Sequence, residues 1–357
     1  MTHLPPKLSK LLIVCLLTPF LSVVFGGQAS AEDDFAAEGE RRAKLAGSEL
    51  IGTPAPQREL TTLTGETLNL QQLYGSKPVY IKFWATWCVP CRQQMPGFEK
   101  IYQQYGEKLQ VIAVNTGISD DINSVGAFVK QAGLNMPVTI DDGTLARAFK
   151  LRVTPQHFLV DRSGRIAYVG HQDDEAFHQA LEAVIADKGE NKALLSGTVA
   201  EKASGYEVGD KLASLRLKSI DSIDYPLPST TRQGKATGLV FFAPWCEWYL
   251  AESEPDTAKS CRLVRQMVEQ STSNGKSQWL HISTNLWSSR TDLVEYQTNY
   301  QTRLPIVFDE EGSLFGQFGV TQLPTIVFID ESGKVTEKVS RQTPDFAERL
   351  QVLLSGK

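Results

Sequence analysis

The chain carries one short motif twice, and this internal repeat restricts its fold more than any other feature. The segment "FWATWCVPC" begins at Phe83, and the segment "FFAPWCEWY" begins at Phe241. Their first cysteines, Cys88 and Cys246, stand 158 residues apart. Two later pairs of segments also match, "MPVTIDDGTLARAF" with "LPIVFDEEGSLFGQF" and "TPQHFLVDRSGRI" with "LPTIVFIDESGKV". Self-similarity at nearly constant spacing indicates two copies of one structural unit.

Each copy has the pattern of an α/β unit, with a strand, a helix and a strand followed by a late hairpin. In the first copy, "VYIKFWA" and "LQVIAVN" are continuous apolar runs of the kind found in buried strands. The segment "SDDINSVGAFVKQAG" predicts a helix that begins at Ser119 or Asp120 as its N-cap and ends at Gly133. Residues 161–164 predict the turn of the hairpin.

The N-terminus has the layout of a secretory signal peptide. Lys7 and Lys10 precede an apolar run, and small residues up to Ala31 come before an acidic stretch. We expect cleavage after Ala31, with an uncleaved membrane anchor as the alternative, although the apolar run is shorter than a span usually requires. The predicted organisation is a signal peptide at 1–31, a linker or helix at 32–46, a first domain at 47–187, a linker at 188–204 and a second domain at 205–357.

The charge of the chain argues against partners that are themselves polyanions. Lysine and arginine number 36 against 41 aspartate and glutamate residues, which gives a formal net charge of −5. A surface of this sign does not attract nucleic acid or anionic lipid. We therefore expect neither a nucleic-acid partner nor, once the leader is cleaved, a membrane-spanning segment. Four of the five cysteines remain after cleavage, and an even number in an exported protein is typical of disulfide use.

The chemistry is predicted at the junction of the first strand and the following helix. A cysteine in the first turn of a helix has its thiolate stabilised by unpaired backbone N–H groups and by the helix dipole, and Cys88 occupies that place. Cys91 lies three residues later on the same side of the helix, within reach of a disulfide. Cys88 is then the nucleophile of thiol–disulfide exchange and Cys91 the resolving thiol. Pro90 suits the start of a helix.

A cysteine pair of this spacing could also be half of a zinc site or a simple structural disulfide. Zinc requires four ligands, and the first copy offers no second Cys/His pair, since His157, His171 and His178 are scattered. Export also favours disulfide chemistry over zinc binding. We expect no metal and no cofactor.

The first copy resembles the TlpA/ResA-like branch of the thioredoxin superfamily. The resemblance rests on "KFWATWCVPCRQQMP", which contains Trp87, on the upstream "GTPAPQRELTTLTGETLNLQQLYGSKPV", and on the Thr154-Pro155 step before a strand. It covers residues 47 to 187. The second copy, with Pro324 in the place of Pro155, resembles the same fold.

The resemblance implies two tandem thioredoxin-like folds, each a central mixed β-sheet flanked by helices. It also implies a periplasmic or otherwise extracytoplasmic disulfide oxidoreductase that acts on protein disulfides and is recycled by a membrane thiol donor. The peptide bond before Pro155 is expected to be cis and to face the cysteine pair.

Three residues depart from the pattern of the family. Lys82 stands where thioredoxins have a buried acid; a cation there would favour the thiolate, whereas a flexible stem would instead carry the amine to solvent. Gln94 stands where ResA-like proteins have a glutamate, and an amide cannot relay a proton. His157 could serve as a base near the cysteines or simply be a packed side chain.

The second copy lacks the second cysteine of the motif, because Tyr249 takes the place of Cys91. It also carries an insertion of about ten residues after Cys246, with Cys261 within or beside it. Three interpretations stay open: a structural Cys246–Cys261 disulfide, a redox pair that relays electrons to or from the first pair, and two free thiols. In the first case the second domain is a binding module.

Two other classes of protein remain as alternatives. One is a non-catalytic binding or scaffold protein whose disulfides are structural. The other is a copper-handling thiol protein, since thiol pairs bind Cu(I); the absence of a methionine or histidine cluster in the sequence beside Cys88 and Cys91 argues against it.

Overall fold

The computed structural model describes residues 31–189, 197–200, 205–228, 236–271 and 277–355. The predicted signal peptide, apart from its last residue, lies outside these ranges. No helix in the described part of the chain is both long enough and apolar enough to span a bilayer.

The first unit is built around a five-stranded sheet. Its elements are α1 (Ala31–Gly47), β1 (Glu59–Thr61), β2 (Thr67–Asn69), α2 (Leu70–Tyr74), β3 (Val79–Trp84), α3 (Val89–Tyr105), β4 (Gln110–Asn115), α4 (Ile122–Ala132), β5 (Val138–Ile140), α5 (Thr144–Ala148), β6 (Gln156–Val160), β7 (Ile166–Gly170) and α6 (Glu175–Ala186). The strand order is β5-β4-β3-β6-β7, with β3, β4 and β5 parallel and β6 and β7 antiparallel to their neighbours. The central strand β3 is buried along its whole length, as its unbroken apolar run predicts.

The second unit repeats this arrangement. Its elements are β8 (Leu215–Lys218), β9 (Asp224–Leu227), β10 (Thr237–Phe242), α7 (Cys246–Ser253), α8 (Pro255–Ser271), β11 (Gln278–Ser283), α9 (Arg290–Tyr300), β12 (Ile306–Phe308), α10 (Ser313–Gln317), β13 (Thr325–Ile329), β14 (Val335–Ser340) and α11 (Phe346–Ser355). The strand order β12-β11-β10-β13-β14 and the strand directions match those of the first sheet. The predicted fold class, two tandem thioredoxin-like α/β folds, is confirmed.

The insertion in the second unit takes the form of an additional helix. Where the first unit has only α3 between its first two core strands, the second has α7 and α8. Fifteen residues along one continuous helix would separate the Cα atoms of Cys246 and Cys261 by about 22 Å. The two Cα atoms are 6.3 Å apart and the side chains form a disulfide. The chain therefore folds back between α7 and α8, and the disulfide holds the two helices together.

The N-cap of α4 differs from the prediction. Ser119 and Asp120 were the expected caps, but the cap is Asp121, whose carboxylate accepts the N–H groups of Asn123 and Ser124, both at 2.8 Å. Asp120 is not available because it accepts the backbone N–H of Thr86 at 2.8 Å. The helix ends at Gly133 in a left-handed conformation, as predicted.

Two segments outside the sheets join the first unit. Residues 32–46, predicted as a linker or helix, lie within α1. Two residues of the predicted linker, Thr198 and Ala200, bond to Gln57 of the first unit. The Gln57 N–H donates to Thr198 O at 2.9 Å, and the Ala200 N–H donates to Gln57 O at 2.8 Å. Thr198 and Ala200 are therefore bound to the first unit, and the second unit is held at Tyr206, whose N–H donates to Gln317 O.

The disulfide between α7 and α8 should contribute measurably to stability. It closes a loop of 15 residues, and a loop of that length corresponds to about 3 kcal/mol. We expect the double substitution Cys246→Ala with Cys261→Ala to lower the free energy of unfolding of the second unit by about this amount, measured by urea titration. Cys88→Ala with Cys91→Ala, which opens a loop of only three residues, is the control. Equal effects of the two double substitutions would contradict this account.

Candidate active site

Cys88 and Cys91 lie at the N-terminus of α3, directly after the central strand. Cys88 is the N-cap residue, and its Sγ accepts the backbone N–H of Cys91 at 3.2 Å. The two side chains form a disulfide, and both residues are fully buried. Pro90 occupies the first turn of α3, where a backbone N–H has no intrahelical partner to lose. The nucleophile predicted from the sequence thus sits where helix N–H groups stabilise a sulfur anion.

The loop before β6 faces this disulfide. The Thr154–Pro155 bond is cis, and Thr154 O lies 3.3 Å from Cys88 Sγ. The side-chain oxygen of Gln156 accepts the N–H groups of Arg152 and Val153, which holds the loop in place. Thr154 and Pro155 therefore lie beside the sulfur that we expect to react.

Trp87 is fixed by its own hydrogen bond. Its indole N–H donates to Ile118 O at 2.7 Å, and the side chain is buried. The loop between β4 and α4 thereby sets the position of the residue before Cys88.

Lys82 on β3 is buried and does not extend to solvent. Its side-chain amine donates to Gln94 Oε1 at 3.0 Å and lies 5.1 Å from the centre of the Phe98 ring. Burial lowers the pKa of Lys82 to about 7, because the charged form loses its hydration. The interpretation in which the stem carries the amine to the surface is therefore wrong. Gln94 acts as a bridge, since its amide N–H₂ donates to His171 O at 3.2 Å.

His157 is a packed, neutral histidine. Its Nε2 lies 3.0 Å from His171 O, which can only accept, so Nε2 carries the proton. The other ring nitrogen, Nδ1, then accepts from the Tyr80 hydroxyl at 2.5 Å. Burial holds the pKa of His157 well below its usual value. Both nitrogens are occupied, and His157 is not free to act as the base that the sequence left open.

His171 was not identified from the sequence as part of the site. Its Nδ1 donates to Pro155 O at 2.7 Å, and its backbone N–H donates to Glu40 of α1 at 2.6 Å. Because Gln94 and His157 both bond to its carbonyl oxygen, His171 joins α1 and the Lys82 side of the site to the loop at Pro155. His171 is a single histidine directly after the last residue of β7, Gly170, and the sequence around it contains no motif that indicates this role.

The second unit contributes to the surroundings of the first disulfide. The hydroxyl of Tyr249, the residue in the place of Cys91, accepts the N–H of Val89 at 3.2 Å. Trp287 donates its indole N–H to Thr154 O at 3.3 Å. Cys246 and Cys261 are bonded to each other and buried. The two disulfides are thus separate pairs, each within one unit.

The fold and this arrangement of cysteines define the first unit as a thioredoxin-like disulfide-exchange domain. A family model described as "AhpC/TSA family" matches residues 51–169. The chain is 37% identical over 134 residues to the thioredoxin-like protein YneN of Bacillus subtilis, and the aligned region covers 37% of this chain and 78% of that protein. It is 35% identical over 138 residues to the thiol-disulfide oxidoreductase ResA of Bacillus cereus, and the aligned region covers 38% of this chain and 78% of that protein.

A solved structure of a putative thiol:disulfide interchange protein DsbE from Chlorobium tepidum is 30% identical, covers 38% of this chain and 98% of that chain, and has a TM-score of 0.35. The chain belongs to the ResA-like thiol-disulfide oxidoreductases of the thioredoxin superfamily. The protein is therefore a thiol–disulfide oxidoreductase.

The lowered pKa of Lys82 makes stability depend on pH in a defined direction. Between pH 7 and about 10 the unfolded chain holds a proton on this lysine that the folded chain has lost, so unfolding takes up a proton and stability rises with pH. The slope is at most about 1.4 kcal/mol per pH unit. We expect Lys82→Met to be more stable than wild type at pH 7 and to lack this rise, as measured by urea midpoints from pH 7 to 10.

Lys77→Met is the matched control, because Lys77 is only half-buried and donates to Gly106 O away from the site. A wild-type rise with pH that survives in Lys82→Met would show that another group causes it.

Proposed function

We propose that the protein is an extracytoplasmic oxidoreductase that reduces protein disulfides through Cys88 and Cys91. The observation that carries the proposal is the position of Cys88 at the cap of α3, with its sulfur accepting the Cys91 N–H and lying 3.3 Å from Thr154 O beside cis-Pro155. The helix N-terminus stabilises the thiolate, and the Thr154 carbonyl offers a substrate backbone a hydrogen-bond acceptor next to the reacting sulfur. The names of the two relatives agree with this chemistry.

The exchange proceeds in two displacements when the pair starts reduced. The Cys88 thiolate attacks one sulfur of the substrate disulfide, which forms a mixed disulfide and releases the other substrate sulfur as a thiolate. Cys91 then loses its proton and attacks Cys88 Sγ, which releases the second substrate thiolate. The substrate gains two electrons, and the Cys88–Cys91 pair gives them up as it closes to the disulfide found in the structure.

Lys82 is the group proposed to take part in the proton balance. By the resemblance, Lys82 stands where thioredoxins have a buried acid, and its amine donates a hydrogen bond to Gln94 of α3. With a pKa of about 7, a sizeable fraction of the amine is neutral at neutral pH and can accept a proton during resolution by Cys91. Gln94 positions the amine and does not carry the proton itself.

The location and the partners are part of the same proposal. The signal-peptide layout and the presence of two disulfides are typical of a compartment outside the cytoplasm. The reaction leaves Cys88 and Cys91 oxidised, so a thiol donor has to supply two electrons for each turnover. We propose a membrane thiol protein that faces the same compartment.

The second unit is proposed to be a binding module. Cys246 and Cys261 are bonded to each other and Tyr249 replaces the resolving cysteine, so the second unit has no C-x-x-C of its own. A disulfide that holds two packed helices together suits a structural role. The alternative in which this pair relays electrons remains a testable outcome of the following experiment.

We expect Cys88→Ser to abolish reduction of a disulfide-bonded protein, because the attacking sulfur is lost. Cys91→Ser should retain the attack and accumulate a mixed disulfide between Cys88 and the substrate, because resolution is lost. Turnover is measured with a thiol-specific reporter and the trapped species by mass spectrometry.

The control is Cys246→Ala with Cys261→Ala, assayed below its unfolding midpoint. Turnover close to wild type supports a binding module, whereas a loss comparable with that of Cys91→Ser would establish a relay. Full activity of Cys88→Ser would refute the proposed function.

A further inference from the structure

The two units face each other through equivalent residues. Ser119 is the fourth residue after β4, and Trp287 is the fourth after β11. Ser119 donates its backbone N–H to Thr321 O at 2.7 Å, and Trp287 donates its backbone N–H to Arg152 O at 2.7 Å. Arg152 and Thr321 each stand three residues before a cis proline. The contact is therefore reciprocal, as in the two-fold interface of a homodimer.

The backbone at both donors has the same unusual conformation. Ser119 has φ of 58° and Trp287 has φ of 53°, both in the left-handed region. The side chains of these two residues also reach the residue before the opposite cis proline: Leu323 donates its N–H to Ser119 Oγ at 3.2 Å, and the Trp287 indole donates to Thr154 O. The shared backbone shape is thus used for the same purpose in both units.

Two tryptophans lie at the centre of the contact. Trp87 and Trp245 each precede the first cysteine of their motif, and their ring centroids are 5.1 Å apart. Each indole N–H is satisfied within its own unit, Trp87 by Ile118 O and Trp245 by Leu286 O. Paired, buried aromatics with satisfied N–H groups are typical of the anchors of stable interfaces.

The second unit occupies the backbone groups beside the reactive disulfide. Thr154 O lies next to Cys88 Sγ and accepts the indole N–H of Trp287. The carbonyl oxygen of Arg152, two residues earlier, accepts the backbone N–H of Trp287. The Val89 N–H at the start of α3 is taken by Tyr249. Arg152 and Thr154 lie in the loop before β6, and carbonyl groups two residues apart are those that an extended polypeptide would use when it pairs with such a segment.

Helix α1 reinforces the closed arrangement. Its Phe35 stacks on Trp287 with ring centroids 4.4 Å apart, and Arg42 forms an ion pair with Asp292 of α9 at 2.9 Å. Gly39 allows this approach, because a Cβ at that position would come within 2.8 Å of the Trp287 ring.

We propose that the second unit is a resident competitor for the exchange face of the first, so that a polypeptide disulfide reaches Cys88 only after the two units separate. This inference rests on the proposed function, since it concerns access to the same cysteine. Cys88 and Thr154 are both completely buried in the closed arrangement, which agrees with this proposal. The kind of partner that fits the exposed face is an extended segment that supplies N–H donors to Arg152 O and Thr154 O.

The tether makes the competition strong. Between Ala200, held by the first unit, and Tyr206, held by the second, only residues 201–205 connect the two. Fully extended, such a connection spans about 20 Å. A segment of this length keeps the second unit at an effective concentration in the millimolar range. A substrate present at a lower concentration binds with an affinity reduced by the fraction of open molecules.

The test measures exposure of Cys88 directly. In a Cys91→Ser background Cys88 is a free thiol, and its reaction rate with iodoacetamide is followed by mass spectrometry. We expect Trp287→Gly to raise this rate at least tenfold, because it removes the indole contact to Thr154 and the stacking on Phe35. Glycine accepts the left-handed backbone at this position. We expect Asp292→Asn, which weakens the ion pair with Arg42, to raise the rate two- to fivefold.

Two controls separate opening from other effects. Asp256→Asn breaks an exposed ion pair with Lys259 within α8 and should leave the rate unchanged. The rates are recorded as a function of pH: opening raises the plateau at high pH, whereas a change in the Cys88 thiolate alone moves the midpoint. If Trp287→Gly fails to fold by circular dichroism, Asp292→Asn carries the test.

Equal plateaus in all variants, or a background plateau equal to that of a free exposed cysteine, would overturn the inference. Turnover distinguishes this failure from a failure of the proposed function. With Cys91 restored, opening should lower the KM for a disulfide-bonded peptide in Trp287→Gly. Alkylation that responds to Trp287→Gly without any reduction of the peptide would uphold closure and refute the proposed function. Reduction of the peptide with an alkylation rate that Trp287→Gly leaves unchanged would uphold the proposed function and overturn closure.

Discussion

The first turn of α3 presents backbone N–H groups that have no acceptor within the helix. The acceptors that these groups find outside the helix determine how the site is arranged. Cys88 Sγ accepts the N–H of Cys91, and the hydroxyl of Tyr249 accepts the N–H of Val89. One acceptor belongs to the chemistry and the other to the neighbouring unit. The same property of a helix end therefore serves both the proposed nucleophile and the contact with the second unit.

The second copy shows how an exchange motif can become a binding surface. Tyr249 stands in the place of the resolving cysteine and its hydroxyl accepts from the first motif, while Cys246 pairs with Cys261 of the inserted helix. Because both copies have the same fold, the loops at Ser119 and Trp287 contact the opposite unit in the same way. Two copies of one fold can thus bind each other through equivalent loops of the two copies.

The sequence was sufficient for features that depend on local pattern. The repeat predicted the two sheets, Gly133 predicted the end of α4, and the spacing of Cys88 and Cys91 predicted that they can form a disulfide. It was insufficient where several groups compete for one partner. Asp120 looked like a helix cap, but Thr86 engages it and Asp121 caps the helix instead. The amine of Lys82 stays buried because it donates a hydrogen bond to the side-chain oxygen of Gln94. Contacts between the units, such as Trp287 with Arg152, join residues more than a hundred positions apart and have no local signature.

Helix α1 precedes both repeats yet is bonded to each of them. Its Glu40 accepts two N–H groups at the end of β7, from His171 and Gln172, while Phe35 and Arg42 contact the second unit. Gly47 lies against the side chain of Val169 so closely that a methyl group there would clash. The resemblance to the TlpA/ResA-like proteins places the start of the first domain at residue 47. A fragment cut there would lose the carboxylate that holds His171, and with it part of the support of the loop at Pro155. The support of the loop at Pro155 therefore begins in α1, ahead of the residues that the resemblance covers.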